Sequence, residues 1–302
     1  MIPQRVSAFL KRHGANVPKM AMWAGLRTLY RRESVRRLVR PFLKPRSTKK
    51  WIFVVGCYNS GTTITQAILS AHPDVRTLPW EGSLITSVLP DPEDKGWTRM
   101  WIKCPEYMEM PEMVDPKHVN QLLRDWSPWW GKRGEQAFLE KSITNTTRME
   151  WLDAALSPAY FIGMTRNGYC VSEGIRRKAT PRPWIAKDFG DVYPLEMTAR
   201  QWVVANQRLE QDAAKVERYH GLRYEDLMAD PIRHLSEVWS FLELDPPAMT
   251  LEGDKLTIEG QVIRISNSMN EKSIGSLSPQ ELAEISPVIS DMQEHLGYEV
   301  LS

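Results

Sequence analysis

Apolar positions in this chain recur with two alternating periods. Trp51–Val55 is an unbroken apolar run closed by Gly56, the pattern of a strand covered on both faces. Ile64, Ala67, Ile68 and Ala71 then fall at i, i+3, i+4 and i+7, which predicts a helix over 62–71. The alternation continues with a short strand near 137–140 and a helix near 146–156, then a strand at 160–165 and a helix near 169–178. A long helical stretch covers about 195–217, and Gly221–Tyr224 reads as another strand. Asp230-Pro231 supplies an N-cap and a first-turn proline for a helix whose inner face is Leu235, Val238, Trp239 and Leu242. Strands alternating with helices predict an α/β fold, a mainly parallel sheet flanked by helices. Residues 80–135 break the pattern and are rich in Trp and Pro. Insertions at strand C-termini form the substrate side of such sheets. Trp126, Trp129 and Trp130 there suit either stacking on a flat acceptor or packing.

Residues 1–50 form a basic appendage to the domain at 51–302. They hold 14 of the 39 Lys and Arg but only one of the 37 Asp and Glu, Glu33, so they carry +13 against −11 for the rest. Val35, Leu38 and Val39 make an apolar stripe among Arg31, Arg32, Arg36, Arg37 and Arg40. Pro41 ends that helix, and Pro45–Lys50 reads as a linker. Such a helix either packs on the domain with its arginines solvated or lies on an anionic membrane, with contact through residues 20–44. Nucleic acid is not expected as a partner. No apolar run approaches the ~18 residues of a membrane span, and no secretory signal is evident. Three scattered cysteines give neither a disulfide framework nor metal spacing. A cytoplasmic, optionally membrane-peripheral protein is expected, with no metal.

The chemistry concentrates after the first strand. Gly56 and Gly61 are spaced like the glycines of a phosphate-binding P-loop, but Thr62 stands where that loop carries Lys. The cation that meets a triphosphate is therefore missing. Backbone N–H groups and the helix N-terminus still favour an anion, and Ser60, Thr62 and Thr63 add hydroxyl donors.

Ser60-Gly-Thr-Thr63 followed by Ala71-His-Pro-Asp-Val-Arg76 resembles the 5′-phosphosulfate loop of sulfotransferases, which use 3′-phosphoadenosine 5′-phosphosulfate (PAPS) as donor. Phe138-Leu-Glu-Lys-Ser142, Phe161–Gly168, Leu222–Pro231 and Leu296-Gly-Tyr298 follow in that family's order, covering roughly residues 50–300. The likeness is to the carbohydrate and tyrosylprotein types. It implies a P-loop-like fold and sulfuryl transfer to an acceptor hydroxyl or amine. It also implies roles residue by residue. Asn59 stands where the family usually has Arg or Lys against the donor's bridging oxygen, and Lys141 or Lys103 is expected to substitute. Glu81 is the implied general base, with Glu140 in reserve and His72 structural. Arg166 matches the 3′-phosphate arginine. Gly174 occupies the place of the serine that follows it, leaving Ser172 or, at a better offset, Lys178 for the same phosphate. Tyr224 and Lys272 match further nucleotide contacts. The acceptor class stays open among glycan, protein, lipid and small molecule. Two other readings of the loop remain, a non-catalytic nucleotide binder on the same scaffold and a P-loop kinase, which would want Lys at position 62.

Overall fold

The computed structural model describes residues 25, 28–130, 136–266 and 268–301. Five strands, β1 (Lys50–Gly56), β2 (Val75–Thr77), β3 (Ala137–Glu140), β4 (Ala159–Thr165) and β5 (Tyr219–Arg223), form one parallel sheet in the order β2-β3-β1-β4-β5. The expected α/β class and parallel sheet are what the chain adopts. Around the sheet lie α1 (Glu33–Val39), α2 (Thr62–Leu69), α3 (Pro116–Trp126), α4 (Met149–Ala155), α5 (Gly168–Lys178) and α6 (Leu195–Ala213). They are followed by α7 (Tyr224–Ala229), α8 (Pro231–Phe241), α9 (Ser268–Ile274) and α10 (Pro279–His295).

β1 explains its own composition. Ile52 and Val54 face a core built with Ile68 and Leu69 of α2 and Leu235 and Trp239 of α8. Trp51, Phe53 and Val55 face the opposite layer, against Trp126 of α3, Leu152 of α4 and Leu209 of α6. A strand sandwiched in this way shows no polar alternation. β2 and β3 lie to one side of β1 and β4 and β5 to the other, which opens a crevice at the C-terminal ends of β1 and β3.

Several boundaries differ from expectation for local reasons. α2 stops at Leu69, and β2 follows only six residues later. α4 begins at Met149 because residues 143–147 form a 3₁₀ turn, in which the Thr146 hydroxyl accepts from Gly56 N at 2.8 Å and donates to Gly56 O at 3.0 Å. The long helix ends at Ala213, and Tyr224 opens α7 rather than closing β5. Unanticipated elements are the edge strand β2, α3 inside the irregular region, the terminal helices α9 and α10, and a small antiparallel sheet of β6 (Met249–Glu252), β7 (Lys255–Ile258) and β8 (Gln261–Arg264).

The basic helix α1 docks on the domain. Arg36 is buried, its Nη1 donating to the carbonyls of Tyr30 and Arg31 at 2.8 Å each. Arg40 donates to the fully buried Asp125 at 2.8 and 3.1 Å, and the Tyr30 hydroxyl donates to the Asp125 carbonyl at 2.8 Å. The stripe splits, because Val39 packs on the core while Leu38 and Phe42 are 73% and 86% exposed. Most of the apolar stretch Met20–Leu26 lies outside the described residues, as does the first part of the 20–44 contact. Among the described residues, no helix is long and apolar enough to cross a membrane.

Candidate active site

A cleft of about 580 Å³ opens at the C-terminal ends of β1, β3 and β4. Its floor is the loop from Gly56 to Thr63. Gly56 has φ +140°, and a Cβ there would lie 2.4 Å from the Met164 carbonyl oxygen. Gly61 has φ +95°, and its missing Cβ makes room for the Tyr224 ring at 2.5 Å. Asn59 is also left-handed, with φ +63°, a conformation Asn tolerates better than most residues. These turns deliver the chain to Thr62, where α2 starts with no side-chain cap. The first N–H groups of α2 are left for an incoming anion.

β4 delivers Arg166. Its guanidinium stacks over the Tyr224 ring at 4.3 Å, donates from Nη1 to the Asn59 carbonyl at 2.8 Å and from Nε to Asn270 Oδ1 at 2.9 Å. Asn270, on α9, is held in turn by Glu225, whose Oε1 accepts from Asn270 Nδ2 at 2.7 Å and from Asn167 N at 3.1 Å. Three buried polar atoms here have no partner among the described residues: Arg166 Nη2, Asn59 Nδ2 and Ser60 Oγ. All three can donate. Leaving such donors unmet costs about 1–3 kcal/mol each, so the cradle is built for acceptor atoms it does not itself contain.

The opposite wall comes from β3 and the segment after β2. Lys141 Nζ donates to Glu81 Oε1 at 2.6 Å, with Lys141 largely buried and Glu81 partly exposed. Asp91 joins this wall, accepting from Ser83 Oγ at 3.0 Å and Glu93 N at 3.1 Å, and burial pushes its carboxyl up to about 6. Arg99 lines the same space with its guanidinium 5.7 Å from the Tyr58 ring centroid.

Of the residues expected from sequence, Asn59, Gly61, Thr62, Thr63, Glu81, Lys141, Arg166, Lys178 and Tyr224 line this one cleft, and Ser60 is buried in its loop. Lys178, on α5, donates to Asn59 Oδ1 at 3.0 Å. Partial shielding of its ammonium by the cleft wall lowers its affinity for a proton, although the residue as a whole is exposed. Arg99, Arg177 and Arg166 add to that effect. Ser172 is not brought there. It is fully buried, its hydroxyl donating back to Gly168 O at 2.7 Å. Lys272 is exposed on α9 and does not line the cleft. Lys103 is exposed too, its ammonium 5.5 Å from the Trp97 ring centroid. Glu140 is fully buried and accepts from Gly82 N at 2.7 Å, from Ser142 Oγ at 2.5 Å and from Asn145 Nδ2. Burial raises its pKa, and its place is behind the cleft wall. His72 has a structural position, accepting from Asp74 N at 3.0 Å and meeting the Asp245 carbonyl at 2.9 Å. Trp126 and Trp130 are packed against Trp51, and Trp129 meets Tyr30 and Trp80 edge-on, so the tryptophan cluster belongs to the core.

Sequence reasoning missed Thr146, Asn270, Arg99, Asp91 and Glu225. The first two act through partners 90 and 104 residues away, and nothing in their neighbourhood marks them.

Comparison with known proteins adds a family assignment. The sequence model of the sulfotransferase family matches residues 52–247. No curated protein matches. Solved structures similar to the chain include the sulfotransferase domain of a Synechococcus olefin synthase, at 18% identity and TM-score 0.48, covering 85% of this chain and 97% of that one. A sulfotransferase from Mycobacterium avium matches at 12% identity and TM-score 0.49, covering 84% and 78%. A mouse sulfotransferase complexed with PAP matches at 10% identity and TM-score 0.43, covering 85% and 88%.

Proposed function

Because the chain belongs to the sulfotransferase family, we propose that it moves the sulfuryl group of PAPS to a hydroxyl or amine of an acceptor held against Glu81. The observation that carries this reading is the set of buried, unmatched donors Asn59 Nδ2, Ser60 Oγ and Arg166 Nη2 beside an uncapped helix N-terminus. An anion with several acceptor oxygens satisfies them together. The 5′ end of the donor sits over Ser60–Thr63, and Arg166 receives the 3′-phosphate with its guanidinium already aligned by Asn270 and Tyr224.

In the transfer, the acceptor oxygen or nitrogen forms a bond to sulfur while the bond from sulfur to the phosphate oxygen breaks, its electron pair staying on that oxygen. The acceptor's proton passes to the Glu81 carboxylate. The Lys141 ammonium at 2.6 Å fixes that carboxylate on the cleft wall facing the loop. The protein's contribution is position and positive potential, as in phosphoryl transfer.

Calorimetric titration with 3′-phosphoadenosine 5′-phosphate (PAP) tests the donor site, with ADP and ATP·Mg as controls. Selective binding that depends on the 3′-phosphate is expected. Equal affinity for ADP would remove the donor assignment.

A further inference from the structure

From Gly56 to Ile64 the loop contains no charged side chain. The charge that builds on the leaving phosphate has to be met by a cation brought from elsewhere. Four cations line the cleft among the described residues: Arg99, Lys141, Arg166 and Lys178. Lys141 is ion-paired with Glu81. Arg166 is immobilised by Asn59 O, Asn270 and the Tyr224 ring. Arg99 and Lys178 remain, neither in an ion pair among the described residues. Arg99 only approaches the loop, 5.7 Å from the Tyr58 ring centroid, whereas Lys178 donates directly to a neutral amide oxygen of the loop, Asn59 Oδ1, at 3.0 Å.

The contact depends on a third residue. Gly174 and Lys178 are four apart on α5 and so share a face. A Cβ on Gly174 would find Asn59 Cβ, Cγ and Nδ2 each at 3.2 Å, closer than side chains normally pack. Gly174 therefore leaves the space in which the Asn59 amide turns its oxygen toward Lys178. Asn suits the place twice, since it accepts φ +63° and offers one acceptor and one donor.

We infer that Lys178 supplies the cation that the loop lacks: handed over by the Asn59 amide across the bare Cα of Gly174, it meets the phosphate oxygen as that oxygen takes the electron pair of the breaking bond to sulfur. This rests on the PAPS reading and adds to it a division of labour. Arg166 holds the donor, Lys178 acts on the departing phosphate, and Asn59 is a positioning residue.

The test compares wild type, Lys178→Gln, Lys178→Arg, Gly174→Ala and Arg99→Gln for PAP affinity by calorimetry and for release of PAP and sulfate from PAPS, with water as the sulfuryl acceptor. Lys178 is exposed at the last turn of its helix, so its variants are expected to fold. Losing one charge-stabilising donor should lower the maximal rate of Lys178→Gln by roughly 10²-fold or more while PAP affinity changes far less. Lys178→Arg should recover most of that rate. Gly174→Ala should reproduce part of the loss by displacing Asn59. A Lys178→Gln protein as fast as wild type overturns the inference and leaves the donor site standing. So does a rate loss confined to Arg99→Gln, which would move the role to Arg99. A wild-type chain that binds PAP but never consumes PAPS removes both this role and the transferase reading, and one that binds no PAP removes the donor site as well.

Discussion

Arg166 meets a carbonyl with one N–H and an amide oxygen with another, and rests its face on an aromatic ring. A guanidinium held so firmly loses little freedom on gaining a phosphate, which makes it a discriminating contact. Arg166→Ala should therefore cost PAP on the order of 1.5–3 kcal/mol in binding while adenosine 5′-phosphate loses much less. Equal losses for both nucleotides in the same titration would take Arg166 out of the 3′ subsite. Glu81 calls for the opposite split. Glu81→Gln keeps a group able to contact Lys141 but removes the proton acceptor. The maximal rate should fall by about 10²–10⁴-fold with PAP affinity nearly unchanged. Steady-state rates beside a binding isotherm decide it, and an undiminished rate excludes Glu81 as base.

Asp91 illustrates how a residue near the site shapes stability rather than binding. Its carboxyl is raised to about 6, chiefly by burial, from an ordinary value near 4. The folded chain thus keeps a proton that the unfolded chain has already released. Stability from this group is fully present below about pH 4 and is lost as pH rises through about 6. Asp91→Asn preserves the contacts to Ser83 and Glu93 N without the charge. At pH 8 it should be more stable by up to about 3 kcal/mol, and near pH 4 no different. Thermal unfolding at the two pH values checks this. A gain that is the same at both would show that ionisation of Asp91 is not the cause.

At the scale of elements, a buried carboxylate ties the appendage to the domain, beside the Arg31–Glu93 ion pair and the hydrogen bonds of Arg124 to the Arg40 and Leu43 carbonyls. Asp125 receives two N–H groups of Arg40 and the Thr86 hydroxyl, and it lies at the end of α3 beneath α1. Asp125→Ala leaves the part-buried Arg40 with Glu33 as its remaining carboxylate partner and the Thr86 hydroxyl without its acceptor. It should destabilise by about 1–3 kcal/mol and loosen α1 before the sheet unfolds. Limited proteolysis would then cut first among residues 28–43, and cleavage spread evenly over the chain would contradict that order.

What the sequence disclosed at this scale follows from range. The strands β1 and β4 and the helices α2, α5 and α8 are legible because period and capping are local signals. α3 carries the same local signals, Asp115 as N-cap before Pro116 and Val119, Leu122, Leu123 and Trp126 at helical spacing, and went unread only because it sits in the Trp- and Pro-rich region that reads as irregular. Trp126 at its end and Trp130 beyond it cover Trp51 and Phe138. β6–β8 are four residues each and pair only with one another, so their edges show no sustained alternation. The site was legible where motif and strand end coincide, as at Ser60–Thr63, Lys141 and Arg166. It was illegible where a side chain is assigned by an unrelated segment. Lys178 reaches Asn59 across 119 positions, and no window of sequence reports that contact.

For the whole molecule, the cleft gathers Asn59, Glu81, Lys141, Arg166, Lys178 and Tyr224 from the C-terminal ends of four strands and the helices beyond them. The last segment closes the arrangement, because Tyr298 donates to Glu225 Oε2 at 2.9 Å and Glu225 holds Asn270 against Arg166. Arg99, Arg166 and Lys178 face one another there, and the mutual repulsion is part of what depresses the Lys178 pKa. A ligand that brings negative charge should relieve that repulsion and fill the unmatched donors in one event, stabilising the fold as a unit. At a hundred times its dissociation constant, PAP should add about 2.7 kcal/mol. In a chain of this size that raises the unfolding midpoint by about 4 °C. At a common concentration adenosine 5′-phosphate should stabilise less and adenosine scarcely at all, since only the phosphates answer the cations. The expected order, measured by thermal unfolding at constant ionic strength, is PAP above adenosine 5′-phosphate above adenosine. Adenosine matching PAP would mean that the base alone is recognised and that the cations gathered at the sheet edge do not form an anion site.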